Sequence, residues 1–154
     1  MRSGTPLRFV LDTNVCLDLF VFGDPQCASL FTAVHAGEVE LVTRDDCRDE
    51  WLAVLAYPQL KLGEERRMQV AEMFDAHVRL LTLSVGSVGL PRCRDRDDQK
   101  FLELAHQAGA AALLTRDDEL LRLARRAKRD GLFAILRPNA WKEAVQVGLP
   151  MAAC

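Results

Sequence analysis

Four carboxylate positions fall where the apolar pattern passes from strand to helix: Asp12, Glu50, the group Asp95, Asp97 and Asp98, and the pair Asp117 and Asp118. Carboxylate oxygens are hard ligands suited to Mg²⁺ or Mn²⁺. Such ions act on phosphate esters by polarising the phosphate, activating water and steadying the leaving oxygen. Asp12 is the clearest of these positions. Phe9-Val10-Leu11 reads as a strand buried on both faces, and apolar residues resume with helical spacing from Val15. Asp12 therefore ends a strand and opens a helix, and that edge of a parallel sheet is where ligands bind. Asn14, two residues on, adds a further oxygen donor.

Capping is the plainer explanation for any one of these residues. Asp is a favoured N-cap, and both Asp95-x-x-Asp98 and Thr115-x-x-Asp118 resemble capping boxes. Capping does not account for the set. Two carboxylates about 4 Å apart repel by about 4 kcal/mol at an effective dielectric near 20. Several brought to one edge need a cation between them or raised pKa values. Basic residues stand close by: Arg94, Arg96 and Lys100 around Asp95 and Asp98, and Arg44 and Arg48 before Glu50. Cations beside a metal site guide a polyanion to it. Arg122, Arg125, Arg126 and Arg129 fall on one helix face, either as a phosphate-binding stripe or as a solvated face paired with local acids. No base-stacking aromatic stands out, since Trp51 and Trp141 read as core or subunit-contact residues.

The elements that must position these groups alternate. Strands are predicted over Leu7 to Leu11, Val39 to Thr43, Val78 to Val85, Ala110 to Thr115 and Leu132 to Leu136. Helices are predicted over Val15 to Phe22, Gln26 to Ala36, Asp45 to Ala56, Glu64 to Val78, Asp95 to Ala108, Asp117 to Lys128 and Ala140 to Val147. Gly86 to Arg94 reads as a loop. Buried faces are marked by Trp51, Leu52 and Leu55, by Val70, Met73, Phe74 and His77, and by Phe101, Leu102 and Ala105. This alternation implies a central parallel sheet with helices on both faces. In that arrangement all strand C-termini share one edge, so the carboxylates converge there.

Composition agrees with one such domain. The chain has 154 residues, 49% hydrophobic and 27% charged, with a net charge of −2, so nucleic-acid contact must come from local basic clusters. The expected division is a domain over residues 1–147 and a tail over 148–154. No apolar stretch approaches the roughly 20 residues of a membrane span, and the N-terminus lacks a signal core, so a cytoplasmic location is expected. Five cysteines, an odd number without C-x-x-C spacing, argue against zinc or a disulfide framework. His35, His77 and His106 show no metal spacing.

Four stretches together resemble the PIN-domain family and, within it, the VapC-like toxins of bacterial type II toxin–antitoxin pairs. They are Val10-Leu11-Asp12-Thr13-Asn14-Val15, Glu50-Trp51-Leu52-Ala53-Val54-Leu55-Ala56-Tyr57-Pro58, Cys93-Arg94-Asp95-Arg96-Asp97-Asp98-Gln99-Lys100-Phe101-Leu102 and Leu114-Thr115-Arg116-Asp117-Asp118-Glu119-Leu120-Leu121. The resemblance implies a three-layer α/β/α sandwich around a mostly parallel five-stranded sheet, and a Mg²⁺- or Mn²⁺-dependent ribonuclease. It carries metal-ligand roles onto Asp12, Glu50, Asp98 and Asp117. It gives supporting roles to Asn14, Thr115 and Asp95, and leaves Arg94, Arg96, Lys100 and Arg116 as RNA-contacting cations. Asp98 is favoured over Asp97 because Phe101, Leu102 and Ala105 then turn inward. Implied partners are RNA, a small antitoxin protein and a second copy of the chain. Two residues depart from the pattern: Asp18, where many members have a small polar residue, and Arg116, where many have Gly. Two other functions fit the residues less well. A phosphatase with an Asp nucleophile often carries D-x-D, and the second position here is Asn14. An RNA- or partner-binding module without catalysis has no need of the full acidic set.

Overall fold

The computed structural model describes residues 5–84 and 89–148. Five strands, β1 (Leu7–Leu11), β2 (Val39–Thr43), β3 (Val78–Leu80), β4 (Ala112–Leu114) and β5 (Ala134–Leu136), form one sheet in the order β3-β2-β1-β4-β5. Every pairing is parallel, with Phe9 opposite both Leu41 and Ala112, and Leu11 opposite Leu114. The chain is thus an α/β fold with a wholly parallel sheet. Strand order runs outward from β1 to β3 and then returns to the other side of β1. The switch point between β1 and β4 is where such sheets open a crevice.

Helices cover both faces. These are α1 (Thr13–Leu17), α2 (Ala28–His35), α3 (Asp45–Leu55), α4 (Glu64–His77), α5 (Gln99–Gln107), α6 (Asp118–Leu121), α7 (Ala124–Arg129) and α8 (Trp141–Val147). Alternation along the strands divides the core. Phe9, Leu11, Leu41 and Leu114 pack with Leu30, Trp51, Phe74 and Trp141 on one face. Val10, Val42, Leu113 and Ile135 pack with Phe101, Leu102, Leu120 and Ala127 on the other. Burying both faces explains why the strands read as continuous apolar runs. Trp51 stacks on Phe74 with ring centroids 5.2 Å apart, and Phe9 meets Trp141 edge-on at 5.7 Å, so both tryptophans are core residues.

Several elements differ from the sequence reading. β3 stops at Leu80 because its neighbour β2 ends at Thr43, whose carbonyl accepts the last ladder bond from Leu81 N–H. Val85, the far end of the strand predicted there, lies outside the described residues, as do the first part of the Gly86 to Arg94 loop and the tail beyond Gly148. The helix predicted from Val15 starts earlier, at Thr13, and widens into a π-helical turn over Asp18–Phe22 that Gly23 closes in the left-handed conformation. The helix predicted from Asp95 begins as a 3₁₀ turn, Arg96–Asp98, before α5. The segment from Asp117 to Lys128 is two helices, because Leu123 N–H reaches back only to Leu120 O. Met73 does not join the buried face of α4, which is Val70 and Phe74. Cys16, Cys27, Cys47 and Cys93 are free and buried, as expected of small apolar residues. Among the described residues no helix is long and apolar enough to cross a membrane.

Candidate active site

Asp12 is 3% exposed at the C-terminal end of the central strand. Its Oδ1 accepts the Val15 N–H at 2.9 Å and caps α1, while its Oδ2 accepts the Thr115 hydroxyl. Capping and presentation to the crevice are therefore both true of Asp12, one on each oxygen. Burial pushes its carboxyl up to about 6. The Thr115 and Val15 hydrogen bonds oppose the rise, and the Asp117 charge adds to it.

Thr115 is fully buried at the end of β4. Its oxygen also accepts the Asp117 N–H at 2.9 Å, so one hydroxyl ties the β1 and β4 turns together. Asp117 caps α6 by accepting the Glu119 N–H at 2.9 Å. Asp98 makes no capping bond with its side chain, and its Oδ2 is buried without a hydrogen-bond partner. Its carboxyl is pushed up to about 7, first by burial, then by a hydrogen bond with Asp117 and the Asp117 charge, with Asp95 and Asp12 adding to it.

Glu50 projects from the middle of α3. Its Oε1 lies 2.6 Å from Lys100 Nζ, and its Oε2 accepts the Thr13 hydroxyl. Lys100 also donates to the Asp97 carbonyl. Burial works against the Lys100 charge, but the Glu50 hydrogen bond and charge leave its pKa raised. Asp12, Glu50, Asp98 and Asp117 line one cavity of about 270 Å³, together with Thr13 and Asn14. The rest of its lining, mostly apolar, is Leu17, Val54, Tyr57, Gln59, Leu60 and Phe101.

The remaining expected residues are placed less uniformly. Asn14 is exposed at the cavity, and its side chain makes no hydrogen bond to Asp12 among the described residues. Asp95 lies outside the cavity lining and caps the 3₁₀ turn through the Asp97 N–H at 2.9 Å. Asp97 is exposed, which leaves Asp98 as the member of that pair at the cavity. Arg94 and Arg96 are exposed, with no carboxylate partner among the described residues. Arg116 pairs with Asp18, Nε to Oδ2 at 2.6 Å and a terminal nitrogen to Oδ1 at 3.2 Å.

Two flanking arginines are corrections. Arg44, 2% exposed, is enclosed by Asp46, Glu103 and Gln107, and is a structural cation rather than a phosphate contact. Arg48 is engaged by both oxygens of Asp75. On the 122–129 face, Arg122, Arg126 and Arg129 pair with Glu119 or Asp130, which favours the solvated-face reading. Thr13, readable after Asp12 as a further hard oxygen ligand, is instead bonded to Glu50, and sequence reading missed Tyr57, which was passed over while the tryptophans were weighed.

The donor set fits a hard divalent cation. It is oxygen only, one buried carboxylate oxygen has no partner, and burial together with neighbouring carboxylates raises the Asp12 and Asp98 pKa values. Among the described residues no three such groups already close around one point, and Glu50 is drawn to Lys100 and Thr13.

A sequence profile of the PIN domain matches residues 8–119. Among solved structures, the fold is similar to a chain in the crystal structure of VapBC2 from Rickettsia felis bound to a DNA fragment from their promoter. That match has a TM-score of 0.54 at 13% identity and covers 84% of this chain and 97% of the other. No curated protein matches in sequence.

Proposed function

The chain belongs to the PIN-domain family, and from that premise we propose that it is a Mg²⁺- or Mn²⁺-dependent endoribonuclease, the toxin of a toxin–antitoxin pair. One observation carries the reading: residues 12, 50, 98 and 117, far apart in sequence, bring four carboxylates to a single cavity at the switch point of the sheet. Asp12, Glu50, Asp98 and Asp117 would hold the ion. When bound, the ion supplies the Lewis acidity that activates water and stabilises the leaving oxygen. Thr115 fixes the Asp12 carboxylate and the Asp117 turn in one orientation. Lys100 neutralises Glu50, and its charge beside that carboxylate would favour a phosphate there. Arg94 and Arg96 supply exposed positive charge near Asp98 for an RNA strand. Asp95 adds negative charge behind Asp98. A small antitoxin protein closing over the acidic cavity, a homodimer and a cytoplasmic location complete the proposal. They draw support from the family and, for the fold, from the VapBC2 likeness.

The test is cleavage of labelled single-stranded and structured RNAs in Mg²⁺, Mn²⁺ and EDTA, with Asp12→Asn beside the wild type. Cutting that needs metal and disappears in the variant establishes the nuclease. Hydrolysis of small phosphate esters without RNA cutting would establish a phosphatase instead. Metal-dependent RNA binding without cutting would establish a binding module.

A further inference from the structure

Hydrolysis of a phosphodiester accounts for the acidic wall of the cavity but not for the apolar one. We propose that the apolar wall is a seat for one unpaired nucleobase of the RNA, with Tyr57 as its stacking platform beside the scissile phosphate. This rests on the nuclease reading above.

Tyr57 is the only tyrosine in the chain and is 51% exposed, although it lines the cavity. Its backbone is held firmly. Its N–H donates to Val54 O at 3.0 Å, its carbonyl accepts from Leu60 N–H at 3.1 Å, and Pro58 restricts it to the extended conformation it adopts. Its side chain is uncommitted: among the described residues the ring meets no other aromatic, and the hydroxyl makes no hydrogen bond. A fixed backbone carrying a free, half-exposed ring is a preorganised surface for a flat ligand. Leu17, Val54 and Leu60 supply apolar contact, and the Gln59 amide adds one donor group and one acceptor for a base edge.

The same geometry selects the class of RNA. Bases in a duplex hide their faces in the stack, so only a single-stranded or flipped-out base can lie on Tyr57. The volume of about 270 Å³ is below the roughly 300–1,000 Å³ typical of ligand clefts, so the cavity takes one nucleotide unit and not a helix.

The test compares wild type, Tyr57→Phe and Tyr57→Leu on a single-stranded RNA that the wild type cuts. Matched substrates carry that sequence paired in a duplex, or an abasic residue next to the cut. Thermal denaturation confirms that each exposed-site variant folds. Tyr57→Phe should behave like the wild type. Tyr57→Leu should raise KM roughly tenfold with little change in kcat, in line with the worth of one base stack. The abasic substrate should lose a similar factor with the wild type and nothing more with Tyr57→Leu. Equal KM for wild type and Tyr57→Leu, or duplex cut as readily as single strand, overturns the proposal. If the wild type cuts no RNA, the nuclease reading fails on its own. The base seat is then decided by fluorescence quenching of 2-aminopurine in a single-stranded RNA: quenching lost in Tyr57→Leu supports it, and quenching equal in both, or absent in both, overturns it.

Discussion

Arg116 and Asp18 lie 98 residues apart in the chain, and in this structure they are each other's partner. Asp18 is nearly buried on the π-helical turn after α1, and Arg116 reaches it from the turn after β4. Burial raises the Asp18 pKa against the opposing pull of Arg116. Each residue makes physical sense beside the other. An unpaired buried carboxylate costs stability, and a large cation at the crevice needs an anchor.

The pair should therefore behave as a unit. Arg116→Gly alone should destabilise the protein by about 2 kcal/mol at pH 7, the cost of leaving a buried charged acceptor unmatched. Adding Asp18→Ser should recover most of that loss. Urea denaturation of the four members of this cycle measures the coupling, and losses that simply add would refute it.

Stability of the metal-free protein should fall as pH rises from about 4 to about 7. Asp12 and Asp98 have folded-state pKa values of about 6 and about 7, against an ordinary value of 3.8. Over that window the folded protein keeps protons that the unfolded chain has lost, so folding is favoured at the acidic end. The Asp12 shift alone corresponds to about 3 kcal/mol. Thermal melts in EDTA at pH 5 and pH 8 read the effect. Asp98→Asn should flatten the curve and raise Tm at pH 8, and added Mn²⁺ should do the same for the wild type. A melt that is flat in EDTA across this range would contradict the buried, mutually repelling carboxylates.

Thr115→Val removes the hydroxyl that Asp12 and the Asp117 turn share. Groups that orient metal-binding carboxylates are typically worth 10–100-fold, so metal affinity and cleavage should both drop by about that factor. Thr115→Ser keeps the oxygen and should stay within a few-fold of wild type. A silent Thr115→Val would leave the hydroxyl a merely structural link.

Lys100 would compete with a bound metal ion for the Glu50 carboxylate. Lys100→Met should free Glu50 and tighten Mn²⁺ binding by about fivefold, the factor expected from losing a partly exposed ion pair of about 1 kcal/mol. Calorimetric titration gives the result directly. Weaker binding would mean that Lys100 holds Glu50 in position for the ion.

Much of this was readable from residues 7–17 and 110–118, where apolar runs end abruptly at a carboxylate. A strand buried on both faces must be apolar throughout, so its end is sharp in the sequence. The choice of Asp98 over Asp97 was also readable, because Phe101, Leu102 and Ala105 set the helix face. What escaped was decided by tertiary partners. Arg44 looks like any surface cation until Glu103 and Gln107 enclose it from another helix. The Asp18–Arg116 pair links positions that no local pattern connects. Tyr57 lies beyond the end of α3, where helical periodicity says nothing about which wall a side chain faces.

The strand order has a consequence for how the protein is made. β1 is synthesised first, yet its partner β4 lies about a hundred residues downstream, with Phe9 pairing to Ala112. Asp12 therefore waits for Thr115 and Asp117 until about a hundred further residues have been made. No shorter nascent segment contains the complete acidic set, so the four-carboxylate cavity cannot assemble before residue 117 has been made.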